Sequence, residues 1–253
     1  MNKYLKRPLF QMVTSPWENL FLFLFGWLGF QLLGLLVSLC FNGAISSGSL
    51  NSRQADMAVN LLVYAIVFLV FFCYLSLYNR AARTTITVGF TKAGGGIATG
   101  FYWFVGSLIV SALYSLIVSA IPWMTVNNNQ AAIESSGVLF PIPTFVFTVL
   151  LAPFCEELTY RGGLNTLIGR WNRIAGLFIS AVIFALIHFD LQGIITDAIK
   201  GDMFTLYREL LNLPTYIIAG LGLGMAYQST GNITCSWFCH TFNNLIAFIG
   251  MVV

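Results

Sequence analysis

Apolar residues run along this chain in long blocks separated by short polar stretches. Mostly apolar runs lie near 20–41, 57–78, 97–121, 142–168, 174–190, 212–228 and 233–253. Each is close to the roughly 20 residues a helix needs to cross a bilayer. The pattern predicts an all-α fold, a polytopic membrane helix bundle of seven to eight transmembrane helices. The eighth candidate is a short amphipathic segment near 194–210, which reads as interfacial or re-entrant. The polar stretches "SSGSLNSRQAD" and "TVNNNQAAIESSG" read as loops. The run from Leu20 to about Cys40 exceeds the roughly 7–15 apolar residues of a signal peptide, and no A-x-A site follows it. It reads as an uncleaved first span.

Composition sharpens the picture. The chain of 253 residues is 58% hydrophobic and 8% charged, against about 25% charged in a soluble domain. A net charge of +3 is too small to point to nucleic acid. Cys40, Cys73, Cys155, Cys235 and Cys239 are scattered through apolar stretches, which does not suggest a disulfide framework.

The loop charges alternate. Lys3, Lys6 and Arg7 precede the first run, Arg80, Arg83 and Lys92 follow the second, and Arg170 and Arg173 follow the fourth. The intervening loops carry Arg53 with Asp56, then Glu134, then Asp190, Asp197, Asp202 and Glu209 against Lys200 and Arg208. The positive-inside rule then places the N-terminus in the cytoplasm and, with seven spans, the C-terminus outside.

The runs at 20–41, 57–78, 97–121 and 212–228 hold no Asp, Glu, Lys, Arg or His. Glu156, Glu157, Arg161, His188 and His240 fall inside the others, and these include both histidines of the chain. An intramembrane ionisable group is expensive unless paired or wetted, so it marks a candidate site. Glu156 lies sixteen residues before Asn172 in the polar turn "GRWNR", and His188 sixteen after. In a helical hairpin both then sit roughly 24 Å from the turn. His240 and Asn244, spaced i, i+4, share a helix face. Glu157 and Arg161 can pair at i, i+4, while Glu156 points about 100° away and is free to serve as a general base.

The segments "EELTYR", "FALIH" and "HTFNN" match EExxxR, FxxxH and HxxxN, in that order. Together they resemble the CAAX-prenyl-protease and bacteriocin-processing family of intramembrane proteases, also called CPBP or Abi. The resemblance covers Pro141 to Val253, which divides the chain into 1–140, with three N-terminal spans, and 141–253, a catalytic core. It implies a helical fold with the site in an intramembrane polar cavity, and cleavage of a peptide bond. It also implies that Glu156 and His188 activate a water and that His240 and Asn244 stabilise the oxyanion. Glu157 and Arg161 then orient these groups, and Phe184 supports His188 by packing. Glu156, His188 and His240 are also the ligand types of a catalytic zinc site, with Glu157 as the base in that version. A metal-free glutamate mechanism fits the same residues.

The resemblance implies a peptide or membrane-associated protein substrate in the lipid bilayer, and the compact chain reads as an integral protein of a bacterial cell membrane. The roles it suggests are peptide maturation, peptide signalling and bacteriocin self-immunity. Two other classes meet the same features. A transporter with a proton relay predicts inverted repeats and broken helices in both halves, which the charge-free N-terminal spans do not favour. A catalytically silent membrane scaffold is disfavoured by the complete motif set. "GLGLG", with Gly220 and Gly224 in a GxxxG relation, reads as close helix packing.

Overall fold

The structure, a computed structural model, describes residues 10–91, 95–121 and 127–252. Lys3, Lys6, Arg7 and Lys92 lie outside them. Every regular element among the described residues is helical: α1 (Phe10–Val13), α2 (Pro16–Ser46), α3 (Ser52–Cys73), α4 (Arg80–Thr91), α5 (Gly95–Val118) and α6 (Asn128–Leu139). There follow α7 (Pro141–Gly169), α8 (Arg173–Leu186), α9 (Leu191–Ile199), α10 (Phe204–Thr230) and α11 (Ile233–Val252). A π turn, Tyr74–Tyr78, extends α3.

The local sequence sets the helix starts. Ser15 caps α2, with Pro16 in the first turn and Glu18 closing a capping box. Asn51 and Gln54 do the same for α3, and Asn172 caps α8 by accepting from the Ile174 and Ala175 N–H groups. Caps explain two departures from the sequence reading. Ser52–Asp56, read as loop, already belongs to α3, and much of "TVNNNQAAIESSG" forms α6, capped by Asn127. The amphipathic 194–210 segment is not one element. It is divided between α9, nine residues and therefore only about 14 Å long, and the start of α10.

Among the described residues five helices, α2, α3 with its π extension, α5, α7 and α10, are long and apolar enough to cross a membrane. Their apolar surface is not all covered by protein: Leu32, Leu35, Leu36 and Leu39 of α2 are each more than half exposed. A water-soluble fold rarely leaves such a row bare, whereas lipid covers it at no cost. The chain is a multi-spanning helical bundle with the character of an integral membrane protein.

Glycines let the helices that frame the site approach closely. A Cβ on Gly163 of α7 would stand 2.7 Å from the Phe23 backbone nitrogen of α2. Gly220 and Gly224 of α10 lie against Ala181 and Leu177 of α8, as the GxxxG spacing suggests. At one end of the bundle, Arg170 ties the turn after α7 to the start of α2. Its guanidinium donates to the carbonyls of Gln11 and Thr14 and to Asn19 Oδ1, and Asn19 donates onward to the Gly162 carbonyl.

Gly163→Ala should lower stability by about 1–3 kcal/mol, because backbone rather than a flexible side chain must give way. Gly34→Ala, with nothing within 4 Å of the added carbon, should be neutral or slightly stabilising. Thermal unfolding in detergent separates the two, and equal midpoints would contradict this packing.

Candidate functional site

The site is built around the interruptions in α7. An α-helical turn, Ala152–Glu157, is flanked by two π segments, Val146–Leu151 and Leu158–Asn165. Pro153 accounts for the first. Proline brings no N–H and crowds the carbonyl four residues earlier, so the helix widens there. The Ala152 N–H consequently reaches back five residues to the Phe147 carbonyl. The Thr148 carbonyl thereby loses its α-helical donor, and its π-helical donor would be Pro153, which has none. Asn244 of α11 supplies the replacement, Nδ2 donating to the Thr148 carbonyl at 2.8 Å.

Beyond Pro153 the two glutamates take different environments. Glu157 is fully buried, and its Oε1 accepts from Arg161 Nη1 at 2.8 Å and from His240 Nδ1 at 3.0 Å. Arg161, also fully buried, donates from Nη2 to the Gly220 carbonyl of α10 and lies 4.7 Å above the Phe184 ring of α8. Glu156 instead lines a cavity of about 630 Å³. Its Oε1 accepts from the Tyr64 hydroxyl of α3 at 2.9 Å, and its Oε2 lies 3.9 Å from His240 Nε2. That distance is too long for a hydrogen bond.

Both histidines line the same cavity. His188 is not inside a helix, as the 174–190 run suggested, since α8 ends at Leu186. It sits in the following turn, its Nδ1 2.9 Å from the Phe184 carbonyl and its ring stacked on Tyr216 of α10 at 4.3 Å. A ring nitrogen facing a carbonyl oxygen must carry the proton, so His188 presents an unprotonated Nε2 when neutral. His240 follows the same logic, with Nδ1–H directed at a carboxylate already paired with Arg161. Its Nε2 can donate to an oxyanion only if the ring carries both protons.

The structure therefore brings Glu156, Phe184, His188, His240 and Asn244 to one cavity, with Glu157 and Arg161 behind them. Phe184 proves more than local packing, since its ring also meets those of Tyr160, His188 and His240. The zinc arrangement does not fit. Among the described residues no three of His, Cys, Asp and Glu group closely enough to hold a metal ion, so Glu156, His188 and His240 do not form a ligand set.

Sequence reasoning missed Tyr64, Tyr216 and Thr148. Tyr216 and Thr148 carry no charge at neutral pH and belong to no motif that could have singled them out. Tyr64 had a signal. Arg53, Asp56, Asn60 and Tyr64 are spaced three, four and four residues apart, a polar stripe on one face of α3.

Residues 138–246 match a family model described as type II CAAX prenyl endopeptidase, Rce1-like. A protein of Mycoplasma capricolum subsp. capricolum, described as uncharacterized, is 26% identical over 249 residues, covering 93% of this chain and 68% of that protein. No solved structure matches. The matched segment contains EExxxR, FxxxH and HxxxN together with the broken helix that carries the first of them, and over this part of its length the chain matches the Rce1-like family of CAAX proteases.

Proposed function

We propose that the chain is an intramembrane endopeptidase in which Glu156 takes a proton from the attacking water. The observation that carries this reading is the different treatment of two adjacent carboxylates. Glu157 is spent on Arg161 and His240 inside the protein, whereas Glu156 faces the cavity with one oxygen fixed by Tyr64 and the other open. An oxygen atom placed between Glu156 Oε2 and His240 Nε2, 3.9 Å apart, can touch both at hydrogen-bond distance. His188 Nε2 accepts a second proton from the same region. The water oxygen adds to the peptide carbonyl carbon and Glu156 holds the proton removed. That proton passes to the leaving amine as the C–N bond breaks. Asn244 keeps one amide N–H on Thr148 and has a second for the oxyanion. His240 Nε2 faces the same space and is the other donor whenever that nitrogen carries a proton.

In this reading 141–253 supplies the chemistry and 1–140 the walls, among them Tyr64. Seven crossings put the basic loops in the cytoplasm and the C-terminus outside, with the cavity at membrane depth. The substrate is a peptide or the membrane-proximal tail of a protein, because a folded domain cannot follow its scissile bond into a bundle of this size. Maturation of a secreted or bacteriocin-like peptide in a bacterial membrane fits that geometry.

Glu156→Gln should reduce cleavage by about 10²–10⁴-fold while the protein still inserts and accumulates. Asn244→Ala should lose less, with His240 left as an oxyanion donor. Mass spectrometry of peptides released by cells carrying each variant reads the outcome, and an unchanged peptide set with Glu156→Gln contradicts the assignment. For topology, a reporter fused at Lys92 should report cytoplasm and one fused after Val253 the outside. A cytoplasmic signal at the C-terminus would rule out seven crossings.

A further inference from the structure

The cavity that reaches Glu156 has a direction. On α3 its lining runs Arg53, Asp56, Asn60 and Tyr64, and the last of these donates to Glu156. Arg53 to Tyr64 is eleven residues, so the stripe descends roughly 16 Å along the helix. Across from its upper part stand Gln130, Ser135 and Ser136 of α6. On the other side of Glu156 the bundle is closed, with Leu158, Thr159, Tyr160 and Arg161 of α7 all at most 2% exposed. The closed end is the end held by Arg170, and the lined end is the one opposite.

A stripe of this kind is costly on a helix that otherwise faces lipid or apolar protein, unless it borders water or a polar ligand. An extended peptide is such a ligand, because each residue brings an N–H and a C=O that need partners away from bulk water. We propose that the substrate reaches Glu156 from the Arg53 end of the bundle, laid as an extended segment along the α3 stripe of Arg53, Asp56, Asn60 and Tyr64. At about 3.3 Å per residue, roughly five residues separate the mouth from the scissile bond. Since the basic clusters lie at the opposite end, the mouth opens on the extracytoplasmic face. The substrate is therefore a peptide presented from outside, cut about five residues below the point where it enters the protein. This deepens the peptidase reading and rests on it for the word substrate. The wall it assigns lies outside the family-matched segment.

The test is thiol labelling in the full chain, which requires no cleavage. Cys40 and Cys73, the two exposed cysteines, are replaced by Ala, and the buried Cys155, Cys235 and Cys239 are kept. Asn60→Cys and, across the cavity, Ser136→Cys are made singly, with Thr84→Cys of α4 as an exposed marker of the basic end. A charged, membrane-impermeant maleimide should label Asn60→Cys and Ser136→Cys in intact cells. It should label Thr84→Cys only in inverted vesicles. Labelling of both cavity positions only from the cytoplasmic side, or from neither side, overturns the proposal. If Glu156→Gln leaves released peptides unchanged while the cavity labels from outside, the peptidase assignment fails and the extracytoplasmic path stands.

Discussion

The buried pair of Glu157 and Arg161 is the interaction on which the rest of the site depends. Two ions fully removed from solvent cost several kcal/mol each unless geometry and further hydrogen bonds compensate them. Here the compensation comes from three other helices. Glu157 accepts from His240 of α11, and Arg161 donates to the Gly220 carbonyl of α10 and lies over Phe184 of α8. The pair therefore cannot be satisfied unless α7, α8, α10 and α11 stand in one arrangement. That same arrangement turns His240 Nε2 toward Glu156 and places His188 one turn beyond Phe184.

The broken α7 makes this possible. A regular helix would bond its own carbonyls and offer nothing to a neighbour. Pro153 and the π turn before it release the Thr148 carbonyl, which then fixes Asn244. The second π segment begins at Leu158 and carries Arg161 and Gly163, which admits α2. Widened turns of this type are frequent at functional sites, and here the local chemistry gives the reason. The irregular backbone is stable because α2, α8, α10 and α11 supply the contacts it lacks.

Much of this was legible in the sequence and some was not. Long apolar blocks bounded by basic turns reveal helices, because nothing else satisfies the backbone in lipid. Intramembrane charges reveal a site, because they are too costly to be incidental. Equal spacing of Glu156 and His188 about Asn172 reads as equal depth, and both residues line the cavity. The early end of α8 at Leu186 was hidden, because Ile187 and Phe189 are apolar and continue the hydropathy run through a turn. The fate of 194–210 was hidden for the same reason, since hydropathy does not register a break as short as Lys200–Met203. Tyr216 was hidden because an aromatic residue in an apolar run reads as core until its ring face is seen against a partner, here His188.

If the buried pair organises the site, its two members must be strongly coupled. The most direct measurement is a double-mutant cycle on unfolding stability in detergent with Glu157→Gln, Arg161→Met and the double variant. Each single change leaves one buried ion unpaired and should cost about 3–5 kcal/mol. The double variant should lose about 1–3 kcal/mol less than the sum of the two single losses, while His240 still loses its carboxylate partner. Single variants as stable as the parent, or strictly additive losses, would show that the pair is not what holds these four helices around the site.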